Sequence, residues 1–126
     1  MTRVELRGVA KAFPGGIEAI RGLDLTIEPG ELFAIVGPSG SGKSTLLRLI
    51  AGLEPLSAGS LWIDERRADG LAPRDRDLAM VFQVPVLYPY LSVFENLAFG
   101  LRARGAARRD VERGVAEAAS ILGLEA

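Results

Sequence analysis

Apolar and polar positions alternate from the start of the chain. Val4, Leu6 and Val9 stand among charged and small neighbours, and that period predicts a strand with one buried face. Phe13-Pro14-Gly15-Gly16 reads as a turn, and Ala19 to Ile27 as a second amphipathic strand. After the turn signal Glu28-Pro29-Gly30-Glu31, the run Leu32-Phe33-Ala34-Ile35-Val36 is apolar throughout, which predicts a strand covered on both faces. A glycine-rich loop then opens into Lys43 to Ala51, where Leu46, Ile50 and Leu53 recur at helical spacing until Gly52 and Pro55 end the helix. Leu61-Trp62-Ile63 and Leu78-Ala79-Met80-Val81-Phe82 predict two more strands around a charged turn region. Ser92 and Glu95 form a capping box before a helix to about Leu101. A last helix runs from Asp110 with Val111, Val115, Ala118 and Leu122 on one face. Strands around a strand-loop-helix unit, then helices, imply an α/β core with a helical segment beginning near position 89.

Composition narrows the chemistry. The chain has 126 residues, the usual size of one domain, and a globular balance of 48% hydrophobic and 25% charged residues. A net charge of -1 argues against a general nucleic-acid or membrane-surface binder. There is no cysteine and no histidine, which excludes disulfides, thiolate metal sites and the commonest general base. Carboxylates and hydroxyls remain for any metal. No apolar run is long enough to span a bilayer, and Met1 to Phe13 lacks the apolar segment of a signal peptide. The expectation is a cytoplasmic protein that meets a membrane only through a partner.

Gly37-Pro38-Ser39-Gly40-Ser41-Gly42-Lys43-Ser44 matches the phosphate-binding pattern G-x-x-x-x-G-K-[ST] at every specified position, with an apolar run before it and a helix after. Glycines at 37, 40 and 42 let the chain wrap tightly with its amides inward, so that loop and helix N-terminus form an anion cradle. Lys43 is expected to reach the β and γ phosphates and the Ser44 hydroxyl to ligate Mg²⁺. The Thr45 amide and hydroxyl are expected at the α phosphate.

The stretch Ser39 to Pro55, followed by Gly59, resembles the Walker A segment of ABC transporter ATPases. Pro73-Arg-Asp-Arg-Asp-Leu-Ala-Met-Val-Phe-Gln83 resembles the approach to that family's Q-loop, and Leu87 to Leu101 the segment that leaves it. The resemblance covers essentially the whole chain. It implies a P-loop NTPase core of the ABC ATPase type, with N-terminal antiparallel strands and the start of the helical subdomain, divided at 1–88 and 89–126. It implies further that Gln83 contacts Mg²⁺ and the attacking water, and so belongs with Lys43 among the catalytic residues, while Phe13 stacks on the adenine of ATP. Val84 to Ser92 would lie near the surface that meets transmembrane permease subunits. Arg74 and Arg76, alternating with Asp75 and Asp77, favour local pairing.

In this family the signature sequence, the Walker B aspartate, the catalytic glutamate and the switch histidine follow a helix like the one ending at Leu122. Leu61-Trp62-Ile63-Asp64-Glu65 imitates a Walker B but reads as an ordinary strand and turn. The expectation is therefore a truncated nucleotide-binding domain that binds ATP without turning it over. Its unpaired strand edge would make it poorly soluble. A whole relative would pair with a second nucleotide-binding subunit, identical or not, on permease subunits at the inner face of the cell membrane, with a solute-binding protein and no nucleic acid. The segments look most like importers of sugars, polyamines or iron, although Gln83-Val84-Pro85 leans towards anion and sulfonate importers. The alternatives are a small P-loop kinase or GTPase using Asp64, a non-hydrolysing nucleotide-binding remnant, and a soluble ABC protein of translation or repair.

Overall fold

The computed structural model describes residues 2–124. The first apolar alternation forms β1, Val4–Phe13, which pairs antiparallel with β2, Ile17–Ile27, through the turn at Pro14 to Gly16. β3, Ala58–Ile63, takes the other side of β1, and a two-residue turn leads to β4, Arg66–Arg67. The sheet order is β2-β1-β3-β4, and every pairing in it is antiparallel. The β1–β2 register slips at Ala19, where Lys11 opposes Ile20 but Ala12 opposes Glu18, so one extra residue of β2 bulges out.

Helix α1 spans Lys43–Ala51 and presses Leu46 and Leu49 onto the sheet, where they join Val4, Leu6, Val9, Leu61, Ile63 and Ala68 in one core. Leu49 and Leu6 are each 1% exposed, and burial of such a side chain stabilises by about 1.5–3 kcal/mol. Gly52 ends α1 in the left-handed conformation (φ 81°), with its amide bonded back to the last turn.

The second compact unit begins at Val81. Its two helices are α2, Val93–Ala103, and α3, Arg108–Leu122, packed through Ala98, Val111 and Val115. The Ser92–Glu95 capping box opens α2: each residue's side chain holds the other's amide. α3 starts two residues before the expected Asp110, and Leu122 is exposed rather than on the packed face.

Among the described residues, two expected strands do not form. Residues 32–36 and 78–82 carry no ladder partner among the described residues, and Leu32 and Val81 are almost fully exposed. A buried strand needs neighbours for its amides and carbonyls as well as apolar side chains, and the antiparallel sheet offers neither run a place. Asp64 and Glu65 form the β3–β4 turn as expected; the Asp64 carboxylate accepts from the Arg3 amide at 2.8 Å.

Candidate nucleotide-binding site

The phosphate loop closes on itself before α1 begins. The Ser41 amide donates to the Pro38 carbonyl at 3.3 Å, and the Leu46 amide donates to Gly42 at 2.9 Å, the first bond of the helix. Gly42 is the N-cap at φ 93°, and a Cβ there would lie 2.5 Å from the Ala19 carbonyl oxygen in the β2 bulge. Only glycine meets both conditions. The bulge thus seats the loop, and β2 begins at Ile17, the ladder partner of Phe13. The aromatic and the phosphate loop are thereby anchored on the same end of β2.

Lys43 folds back over the loop, donating from Nζ to the carbonyls of Gly37 (2.8 Å) and Pro38 (2.5 Å) and to Ser41 Oγ at 3.1 Å. This puts a cation in the curve of the loop. α1 has no side-chain cap and no acidic residue in its first turn. Among the described residues, no protein acceptor takes the amides of Gly40, Gly42, Lys43, Ser44 or Thr45. Such amides, with about half a positive charge from the helix dipole and a lysine beside them, suit a polyphosphate. The exposed Ser44 hydroxyl, on the first turn, suits a hard divalent cation.

The first unit therefore carries Phe13 as well as Gly37, Pro38, Ser39, Gly40, Ser41, Gly42, Lys43, Ser44 and Thr45, with Phe13 paired to Ile17 and Gly42 seated against Ala19 on the same strand. Gln83 stands in the second unit, in an exposed bend. The segment after it is fixed by a residue that sequence reasoning passed over. Asn96 on α2 accepts from the Tyr88 amide at 2.9 Å and donates to the carbonyls of Tyr88, Leu91 and Ser92. Tyr88 packs on Phe99 with ring centroids 4.5 Å apart, while Val86, Leu87 and Tyr90 stay exposed.

Arg76 departs from the expected local pairing. It is buried, and its guanidinium donates to the carbonyls of Leu49 (2.8 Å) and Ile50 (3.0 Å) in the last turn of α1 and to Leu71 at 3.0 Å. Burial lowers its pKa, and the nearby Asp69 carboxylate opposes that shift. Four orphan carbonyls at a helix end attract a planar fork of donors more strongly than exposed aspartates do. Nothing in the alternating Arg-Asp-Arg-Asp text signals this.

A family model described as "ABC transporter" matches residues 20–126. Among curated proteins, the chain is 52% identical over 126 residues to the sn-glycerol-3-phosphate import ATP-binding protein UgpC of Rhodopseudomonas palustris (strain BisB5), covering 100% of this chain and 35% of that protein. It is 49% identical to the protein of the same name from Chromohalobacter salexigens, over 99% of this chain and 34% of the relative. The chain thus spans about a third of the length of these relatives. A solved ATP-binding cassette, dimeric in a post-hydrolysis state bound to ADP and Pi, matches with a TM-score of 0.77 and 32% identity, over 90% of this chain and 54% of that one. A nucleotide-free cassette from an ABC transporter gives a TM-score of 0.70 at 25% identity, over 88% of this chain and 45% of that one. The α/β architecture expected from the sequence is that of these cassettes, and the chain belongs to the ABC transporter family, among its ATP-binding cassettes.

Proposed function

We propose that this chain supplies the phosphate-gripping part of the ATP-binding subunit of an ABC importer. The observation that carries the reading is the loop Gly37 to Thr45. It has left-handed glycines at 40 and 42, the Lys43 ammonium across its curve, and a helix N-terminus that the protein leaves uncapped. The amides and Lys43 would hold the triphosphate of ATP, the Ser44 hydroxyl would offer a ligand to Mg²⁺, and Phe13 would receive the adenine; the role of Gln83 toward Mg²⁺ and water is proposed on the family resemblance alone. Magnesium, when bound, supplies charge neutralisation between phosphate oxygens. Gln83 orients water, and Lys43 stabilises charge on the γ phosphate.

The names of the relatives support import, with sn-glycerol-3-phosphate as the first solute to test. The exposed Val86, Leu87 and Tyr90 suit a permease contact, and the dimeric cassette supports pairing of two nucleotide-binding subunits. We assign the protein to the inner face of the membrane through that permease; among the described residues no helix is long and apolar enough to cross a bilayer. The 126 residues alone are proposed to bind ATP without sustained turnover, because the residues assigned here include no carboxylate base.

Calorimetric titration of Mg-ATP into the chain and into Lys43→Ala tests the reading. Loss of charge-assisted bonds worth about 1.5–3 kcal/mol weakens binding by roughly 10- to 150-fold. Equal affinity of the two proteins would refute the assignment, and sustained phosphate release by the unaltered chain would refute the binding-only claim.

A further inference from the structure

Among the described residues, Lys11 is one of two charged side chains that are buried, at 7% exposure, and the phosphate site makes no use of it. A buried ammonium is costly unless each of its donors is met. Nζ donates to the Pro55 carbonyl at 2.9 Å and pairs with Glu54 Oε2 at 3.2 Å. Its remaining direction faces the Phe13 ring, whose centroid lies 4.9 Å away. Lys11 and Phe13 are two residues apart on β1, where side chains share a face.

Glu54 and Pro55 belong to the segment that leaves α1 just past Gly52. That segment is stitched to the end of β1: Ser57 Oγ accepts from the Ala12 amide at 3.0 Å, and the Ser57 amide donates to Ala10 at 2.9 Å. One ammonium therefore fixes the ring from one face and ties it to the helix whose other end carries the phosphate loop. The ring is half-buried, so part of it stays open to solvent.

We propose that Lys11 is a positioning residue for the nucleobase: from one face it sets the plane of Phe13, and it holds that plane at a fixed place relative to α1. This rests on the reading of Phe13 as the adenine platform. A cation over an aromatic face is worth about 0.5–2 kcal/mol, so releasing the ring costs about 2- to 30-fold in affinity for a base stacked on it. The triphosphate grip is untouched.

The test compares ATP with inorganic tripolyphosphate, titrated calorimetrically into the full chain and its variants, with a thermal melt of each. Lys11→Met is expected to weaken ATP about 5- to 10-fold and leave tripolyphosphate unchanged, whereas Lys11→Arg, which keeps a cation over the ring, restores ATP binding. Glu54→Gln removes the charge from one of the ammonium's two tethers and leaves the Pro55 carbonyl in place; it is expected to show the same selective loss at smaller size, and it decides the matter if Lys11→Met does not fold. Equal weakening of both ligands, or none, overturns the inference. Phe13→Ala separates the two levels of the argument. If it too spares the difference between ATP and tripolyphosphate, the platform reading fails; if it abolishes that difference while Lys11→Met and Glu54→Gln do not, only the role of Lys11 fails.

Discussion

Replacing Arg76 by methionine probes the end of α1 opposite the phosphate loop. The methionine stem fills much of the same space, so the change removes donors rather than volume. The Ile50 and Leu71 carbonyls each lose a charged partner, at 3.0 Å in both cases. Leu49 keeps one bond, from the Gly52 amide at 3.2 Å. Two partly buried carbonyls left unmet cost up to about 1–3 kcal/mol each. Removing a cation from a helix C-terminus adds about 0.3–1 kcal/mol. Against this stands relief of the desolvation that already lowers the Arg76 pKa. The net expectation is a loss of about 3 kcal/mol. Trp62, the sole tryptophan, lies on β3 in the same unit as Arg76, so its fluorescence during urea unfolding reads that unit. With a slope of about 1–3 kcal/mol/M, the midpoint should fall by about 1–3 M while the slope holds. Arg76→Lys keeps the charge but not the fork, and should fall between. A loss under about 0.5 kcal/mol for Arg76→Met, the level of an ordinary surface change, would refute the capping argument.

Gly42→Ala places a Cβ 2.5 Å from the Ala19 carbonyl at φ 93°, so the loop or the β2 bulge must shift. Expected are a stability loss of about 1–3 kcal/mol and an ATP affinity at least about tenfold weaker by calorimetry; wild-type affinity would contradict the seating of the loop. Glu95 has a pKa below its ordinary 4.5, chiefly because its carboxylate accepts from the Ser92 amide and then from the Ser92 hydroxyl. A lowered carboxyl pKa means stability present above the unfolded value and lost as pH falls through the folded one. Amide exchange across residues 93–103 should therefore quicken as pH drops below 4.5, relative to its intrinsic rate. Glu95→Gln keeps the cap and should flatten that dependence; an unchanged profile would rule out Glu95 as its source.

Features set by neighbours in sequence were readable: α1 with its glycine cap, the Ser92–Glu95 box, the alternation in β1, and the short apolar run in β3. The closed turn before α1 was readable for the same reason, because the Ser41 amide and Lys43 Nζ find their partners within the loop itself. What escaped depends on distant pairing. The run at 32–36 has the composition of a buried strand, yet composition supplies no ladder partner. Lys11 and Arg76 look like surface charges in the text; their burial follows from Glu54, Pro55 and the end of α1, far away in sequence. The slip at Ala19 has no sequence mark, although it positions Gly42.

The strand order has a consequence for the time course of folding. β1 and β2 meet across a short turn, whereas β1 meets β3 only after the chain returns from a long excursion, with Arg3 and Asp64 joined at a separation of 61 residues. The hairpin can form in microseconds, but docking β3 must first overcome the entropy of closing that excursion, which contains the phosphate loop and α1. A β1–β2 nucleus would then make defects in the hairpin slow refolding, while defects in β3 chiefly hasten unfolding. The nucleotide grip would accordingly mature with the closing of β3, after the hairpin that frames it.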